Sequence, residues 1–161
     1  LCYKKLSMSK KNSSVNLRNY FKDSKDLLKI FQIFKTNLDK LNKKKILVAV
    51  SGGPDSLALV ALTIAYRFHR YTKFHYLLVD HNIRKKSNEE AKKVKNLLKK
   101  KKINLKLFVN KKKILKNIQA EARNVRYEIL LDYCKKNKIN TILTAHNLED
   151  QVETFFIRLS R

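Results

Sequence analysis

Apolar residues recur at two spacings along the chain, and the alternation between them sets out the elements. Leu27, Leu28, Ile30, Phe31, Phe34, Leu38 and Leu41 fall at helical spacing. Ile46-Leu47-Val48-Ala49-Val50 is a short continuous apolar run, the pattern of a parallel strand buried on both faces. An apolar helix is expected from about Leu57 to Phe68, a second strand from Phe74 to Val79, and a lysine-rich helix to about Lys101. Ser87 and Glu90 have the spacing of a capping box at the start of that helix, with Ser87 as N-cap. Ile103 to Val109 reads as a third strand, Ile118 to Lys136 as a long helix, Thr141 to Ala145 as a fourth strand, and Asn147 to Arg161 as a last helix.

Strands that alternate with helices make βαβ units with right-handed crossovers. The expected architecture is α/β: a Rossmann-like parallel sheet of four strands with helices on both faces. Ligands in such folds bind beyond the carboxyl ends of the strands, at the topological switch point. The unusual residues fall at those ends. Ser51-Gly52-Gly53-Pro54-Asp55-Ser56 follows the first strand, Asp80-His81 the second, and His146-Asn147 the fourth.

Composition narrows the possible partners. The chain has 161 residues, 43% of them hydrophobic, which suits one domain with a real core. Residues 1–23 are polar and basic without sustained period and read as a mobile leader, leaving 24–161 as the domain. The net charge of +25 attracts polyanions, RNA or DNA first among them. Because most of the excess is lysine, in a chain also rich in asparagine and isoleucine, coding bias explains it as well. Cys2 and Cys134 form no C-x-x-C, which argues against a disulfide scaffold, zinc or a redox pair and fits a reducing cytoplasm. No apolar run approaches the roughly 20 residues needed to span a membrane. The chain starts at Leu1, so it is either a piece of a longer protein or begins at Met8. It ends at Leu159-Ser160-Arg161 without a helix stop signal.

The only two glycines are adjacent, marking a place where the backbone does something unusual. After a buried strand they let the chain approach a ligand closely, and a branched side chain at Gly53 is expected to block that approach. The helix N-terminus that follows attracts anions, and the Ser51 and Ser56 hydroxyls add to it. G-x-x-x-x-G-K-[ST] and G-x-G-x-x-G are both absent, so the loop would hold phosphates without a P-loop lysine. An ordinary βα turn with Pro54 at the first helical position is the plainer alternative.

Four segments together carry a resemblance. The S-G-G-x-D-S loop at 51–56 resembles the signature of the PP-loop ATP pyrophosphatases. Val79-Asp80-His81-Asn82-Ile83-Arg84, with Ser87 and Glu90-Ala91 behind it, resembles the V-D-H-x-[LI]-R segment of the tRNA(Ile)-lysidine synthetases within that superfamily. Gln119 to Tyr127 resembles their Q-x-x-A-R-x-x-R-Y helix. Thr144-Ala145-His146-Asn147-Leu148-Glu149-Asp150-Gln151-Val152-Glu153-Thr154 resembles T-A-H-H-x-D-D-Q-x-E-T, with Asn147 in place of the second His and Glu149 in place of the first Asp. The resemblance runs from about Lys45 to Arg161, and a domain incomplete at its C-terminus is expected.

The resemblance implies ATP-dependent tRNA modification: adenylation of the wobble cytidine of tRNA(Ile), then joining of free L-lysine to give lysidine. It implies ATP and Mg²⁺ as cofactors, tRNA(Ile) and lysine as partners, no membrane, and the cytoplasm. ATP binding falls to Ser51, Gly52, Gly53, Pro54, Asp55, Ser56, Asp80, His81 and Arg123; metal to Asp55 and Asp150; catalysis to His146, Asp150 and Glu153. Arg126 stands level between ligand contact and a solvated helix face. His69 and His75 read as structural, and Cys134 as a small core residue. Two rivals remain: another PP-loop tRNA enzyme of thiolase type, disfavoured by the missing C-x-x-C, and a non-catalytic basic RNA-binding module.

Overall fold

A computed structural model of the chain describes residues 24–83, 86–110 and 117–146. In order, its elements are α1 (Lys25–Leu41), β1 (Lys45–Val50), α2 (Pro54–Tyr66), β2 (Lys73–Asp80), α3 (Ser87–Lys100), β3 (Leu105–Val109), α4 (Ile118–Asn137) and β4 (Ile142–Leu143). The last expected helix, Asn147 to Arg161, lies outside the described residues, as does the leader. Contacts divide the chain into two compact units, 1–44 with 61–72, and 45–60 with 73–161.

The first unit is built on α1. The Ser24 side chain accepts from the Leu27 N–H and caps the helix, and Asn42 ends it in the left-handed conformation. Phe31 and Leu38 are buried. Phe34 meets Tyr66 edge to face at 6.4 Å, and Phe31 meets the His69 ring at 5.4 Å. Asp39 ties this unit together, accepting from Lys35 Nζ and from the Tyr66 hydroxyl, each at 2.7 Å. Those two hydrogen bonds, Lys35 first, hold its carboxyl below the usual range against a smaller opposing effect of burial.

The second unit holds the sheet, with order β3-β2-β1-β4 and every pairing parallel. The chain steps from β1 to β2 to β3 in one direction, and α4 then carries it back to the far side of β1. Parallel crossovers are right-handed, so this reversal puts α3 and α4 on opposite faces and makes the gap between β1 and β4 the switch point. Side chains divide accordingly. Leu47 and Leu77 point to the face where α4 buries Leu130, Tyr133 and Cys134. The alternate residues Ile46, Val48, Val50, Tyr76 and Leu78 are buried from the other side. Burial of both rows explains why β1 reads as an unbroken apolar run.

Two expectations change. Ser87 is not an N-cap: it is the first helical residue, and Lys86 before it is already helical at φ −93°, ψ −4°, without a side-chain cap bond. A capping hydroxyl needs an extended residue beneath it. Here the Glu90 N–H is instead taken by the Lys86 carbonyl at 3.0 Å, and Ser87 Oγ is left buried and unpartnered. The fourth strand is also shorter than Thr141–Ala145: only Ile142 and Leu143 pair, with Leu47 and Val48, before the chain leaves the sheet.

Candidate functional site

The carboxyl ends of β1, β2 and β4 open into a cavity of about 590 Å³, within the range of small-molecule sites. Ser51, Gly52, Gly53 and Ser56 line its β1 side. Gly52 stands at φ +91°, a conformation that residues with a Cβ rarely adopt. A Cβ placed there would meet Val94 Cγ2 of α3 at 3.0 Å, whereas at Gly53 the nearest atom, Ser51 Oγ, is 3.7 Å away. The glycine that the fold itself demands is therefore Gly52.

Ser56 clamps the loop. Its buried hydroxyl accepts from the Gly52 N–H at 3.0 Å and donates to the Gly53 carbonyl at 2.9 Å. It is thus engaged by the backbone, and what the loop offers an anion is the open first turn of α2 and the exposed Ser51, whose Oγ accepts weakly from the Gly53 N–H at 3.4 Å. α2 begins at Pro54, so the plainer βα-turn geometry and the phosphate-loop geometry coincide here. Pro54 and Asp55 are exposed in that turn and are not among the cavity's lining residues.

At the end of β2, Asp80 is 4% exposed. Its Oδ1 accepts from the Asn82 N–H at 2.9 Å, closing a tight turn that Asn82 completes at φ +53°. Asp80 Oδ2 and His81 Nδ1 are buried without partners among the described residues, as is Ser87 Oγ, and all three residues line the cavity. Buried polar atoms left without partners in a cavity wall are what a polar ligand would satisfy.

α4 brings Arg126 to this wall, where its Nε donates to His81 Nε2 at 3.3 Å. Burial, and then the Arg126 charge, push the His81 imidazole below its ordinary value, with Asp80 opposing. Burial likewise lowers Arg126. Arg123 is exposed and does not line the cavity. The two arginines are three apart and so about 60° apart around the helix, and packing at Ala122 and Val125 turns Arg126 inward.

Beyond β4, Thr144, Ala145 and His146 close the third side. His146 is exposed, its Nδ1 3.1 Å from Thr144 Oγ1. Asp150 and Glu153 lie outside the described residues, as do Asn147 and Glu149. Among the described residues no group of three or more His, Cys, Asp or Glu is placed to hold a metal ion. No described helix is long and apolar enough to cross a membrane. His75 and Cys134 sit away from the cavity: His75 Nδ1 is 2.9 Å from the Tyr133 hydroxyl, and Cys134 belongs to the α4 core.

Known proteins resemble this chain in sequence and in fold. A family model of the PP-loop domain matches residues 23–161. The tRNA(Ile)-lysidine synthase of Orientia tsutsugamushi (strain Boryong) is 40% identical over 118 residues, covering 73% of this chain and 27% of that protein. That of Thermosipho africanus is 40% identical over 126 residues, covering 73% and 29%. The chain thus spans under a third of the length of these relatives. Among solved structures, the U34-tRNA thiolase from Methanococcus maripaludis with its 4Fe-4S cluster has a TM-score of 0.63 at 18% identity, over 92% of this chain and 48% of that one. An NH3-dependent NAD synthetase from Campylobacter jejuni has a TM-score of 0.52 at 18% identity, over 74% and 54%. At such identities these two show the fold alone. The family match takes in every described element, the loop after β1 and all the cavity walls, and on that ground the chain belongs to the PP-loop domain family.

Proposed function

We propose that this domain binds ATP and serves the lysidine-forming modification of tRNA(Ile). The observation that carries the reading is the cavity at the switch point, where the glycine loop, the unpartnered Asp80 and His81 atoms and His146 converge. The loop and the N-terminus of α2 receive the phosphates. Asp80 and His81 face the nucleoside. In the first step the C2 carbonyl oxygen of the wobble cytidine attacks the α-phosphorus and pyrophosphate leaves. In the second, the ε-amine of lysine attacks C2, loses a proton and expels AMP. Glu153, with Asp150, receives the lysine ammonium, and His146 contacts the α-phosphate or manages a proton. Asp55, an exposed carboxylate at the phosphate end, suits a hard cation, and with Asp150 it would hold Mg²⁺, which offsets charge on the leaving pyrophosphate. The +25 charge then serves an RNA partner, and the reaction belongs in the cytoplasm.

A thiolase-type reaction lacks its cysteines here, since Cys2 and Cys134 form no C-x-x-C. A purely RNA-binding module leaves the unpartnered cavity atoms without a purpose. The test is pyrophosphate release from ATP, measured with tRNA(Ile) and lysine each present or withheld. Release that needs tRNA(Ile) is expected, limited without lysine to a single turnover and sustained, with AMP released, only when lysine is present; release that needs no tRNA, or sustained turnover indifferent to lysine, overturns the reading. Glu153→Gln should raise the lysine requirement by about tenfold or more, from the loss of one charge-assisted bond of about 1.5–3 kcal/mol, while leaving ATP affinity little changed. An unaltered lysine requirement removes Glu153 from that role.

A further inference from the structure

We infer that Arg126 is a positioning residue that locks His81 in one tautomer, so that His81 Nδ1–H becomes a fixed hydrogen-bond donor aimed into the cavity. The inference rests on the ATP-binding reading for its ligand but not for its geometry.

Arginine has only donors and cannot accept a hydrogen bond. The Arg126 Nε contact at 3.3 Å therefore requires a lone pair on His81 Nε2. A neutral imidazole with its lone pair on Nε2 carries its proton on Nδ1. Burial and then the Arg126 charge, outweighing the opposing Asp80, favour the neutral ring over one with both nitrogens protonated. Nδ1 is buried, and among the described residues no atom accepts its proton. Asp80 Oδ2 is buried and unpartnered on the same wall. The wall thus presents a fixed neutral donor and a fixed acceptor. Its complement is a neutral nucleoside group that both accepts and donates: either a ribose hydroxyl or the amino-and-ring-nitrogen edge of adenine. A phosphate oxygen does not fit, because Asp80 would repel it. Through this bond Arg126 Nε acts on the ligand by way of His81, and a lysine in its place, also a pure donor, would keep the tautomer.

The experiment has two arms on the 161-residue chain. Nitrogen-detected NMR of labelled histidine reads the tautomer of His81 without ligand. The expected spectrum shows the proton on Nδ1 in the wild type and in R126K, and a shift of the population toward Nε2 in R126M. A wild-type proton on Nε2, or an R126M spectrum like the wild type, overturns the inference whether or not ATP binds. The second arm measures ATP affinity by calorimetry. H81Q, whose amide stands near the Nε2 position, and R126M should weaken ATP by about tenfold, and H81N, whose amide stands near Nδ1, should lose less. Equal losses in H81N and H81Q overturn the donor assignment. Loss of affinity for 2′-deoxy-ATP places the pair on the ribose, and loss for ITP places it on the base. If neither analogue differs from ATP, the wall does not read the nucleoside. Failure of the wild type to bind ATP at all overturns the ATP reading and the ligand named here, while the NMR arm still decides the role of Arg126.

Discussion

Gly52→Ala is the sharpest test of how the loop is built. The substitution adds a Cβ to a residue at φ +91°, beyond the left-handed window that L-residues visit, and sets it 3.0 Å from Val94 Cγ2. The backbone term costs about 1–2 kcal/mol. Forcing a methyl into a packed contact costs about 1–3 kcal/mol. Against these, alanine restricts the unfolded chain and returns about 0.4–1 kcal/mol. The net destabilisation is about 1–5 kcal/mol. Gly53→Ala carries neither cost, since its φ is not positive and its nearest atom lies at 3.7 Å, so its stability should stay within about 1 kcal/mol of the wild type. Urea unfolding followed by far-ultraviolet circular dichroism compares the two. With a slope of about 1–3 kcal/mol per molar, the G52A midpoint should fall below that of G53A by about 1 M. Adding Val94→Ala to G52A removes the steric part only, and a coupling of about 1 kcal/mol is expected in the double-mutant cycle. Equal midpoints for G52A and G53A would refute the reasoning, as would zero coupling to Val94 for its steric half.

Ser56→Ala removes the clamp on the Gly52 N–H and Gly53 carbonyl, and should cost about 1–3 kcal/mol in the same urea assay while weakening ATP binding measured by calorimetry. Acid should destabilise the fold early. Burial first, then Lys73, Lys106 and Lys45, hold the His75 imidazole below its ordinary 6.5, so the unfolded chain takes up its proton at higher pH than the folded one. Stability is then fully present above about pH 6.5 and falls as pH drops from there toward the lower folded value. His75→Gln should lessen the fall of the urea midpoint between about pH 7.5 and 5.5 without abolishing it, since His81 is lowered too, and an unchanged pH dependence would exclude His75 as a source. Binding to tRNA(Ile) and to unrelated tRNA through lysine charge should weaken linearly in log–log against salt in filter binding, by about 10³-fold or more between about 50 and 200 mM if six or more phosphates are contacted. Salt-insensitive binding would count against the charge as the means of holding RNA.

Much of this was legible in the chain alone, for local reasons. A strand buried on both faces must be apolar throughout, so Ile46 to Val50 announced β1. Helical spacing announced α1 and α4, and the strand–helix alternation the parallel sheet. A glycine pair in a chain with no other glycine marked the loop after β1 as a place where the backbone does something unusual. The tertiary structure decided what depends on neighbours distant in sequence. Val94 lies 42 positions beyond Gly52, so nothing within the loop says which glycine is obligatory. Arg123 and Arg126 look alike on a helical wheel, and only the packing of α4 against the sheet turned Arg126 toward His81, 45 positions away. A serine and a glutamate three apart spelled a capping box, yet a helix that starts one residue earlier left Ser87 as a buried, unpartnered hydroxyl in the cavity wall. Propensity and periodicity are properties of adjacent residues, whereas a hydrogen bond across elements, a steric contact or a missing partner exists only once the sheet order has brought those elements together.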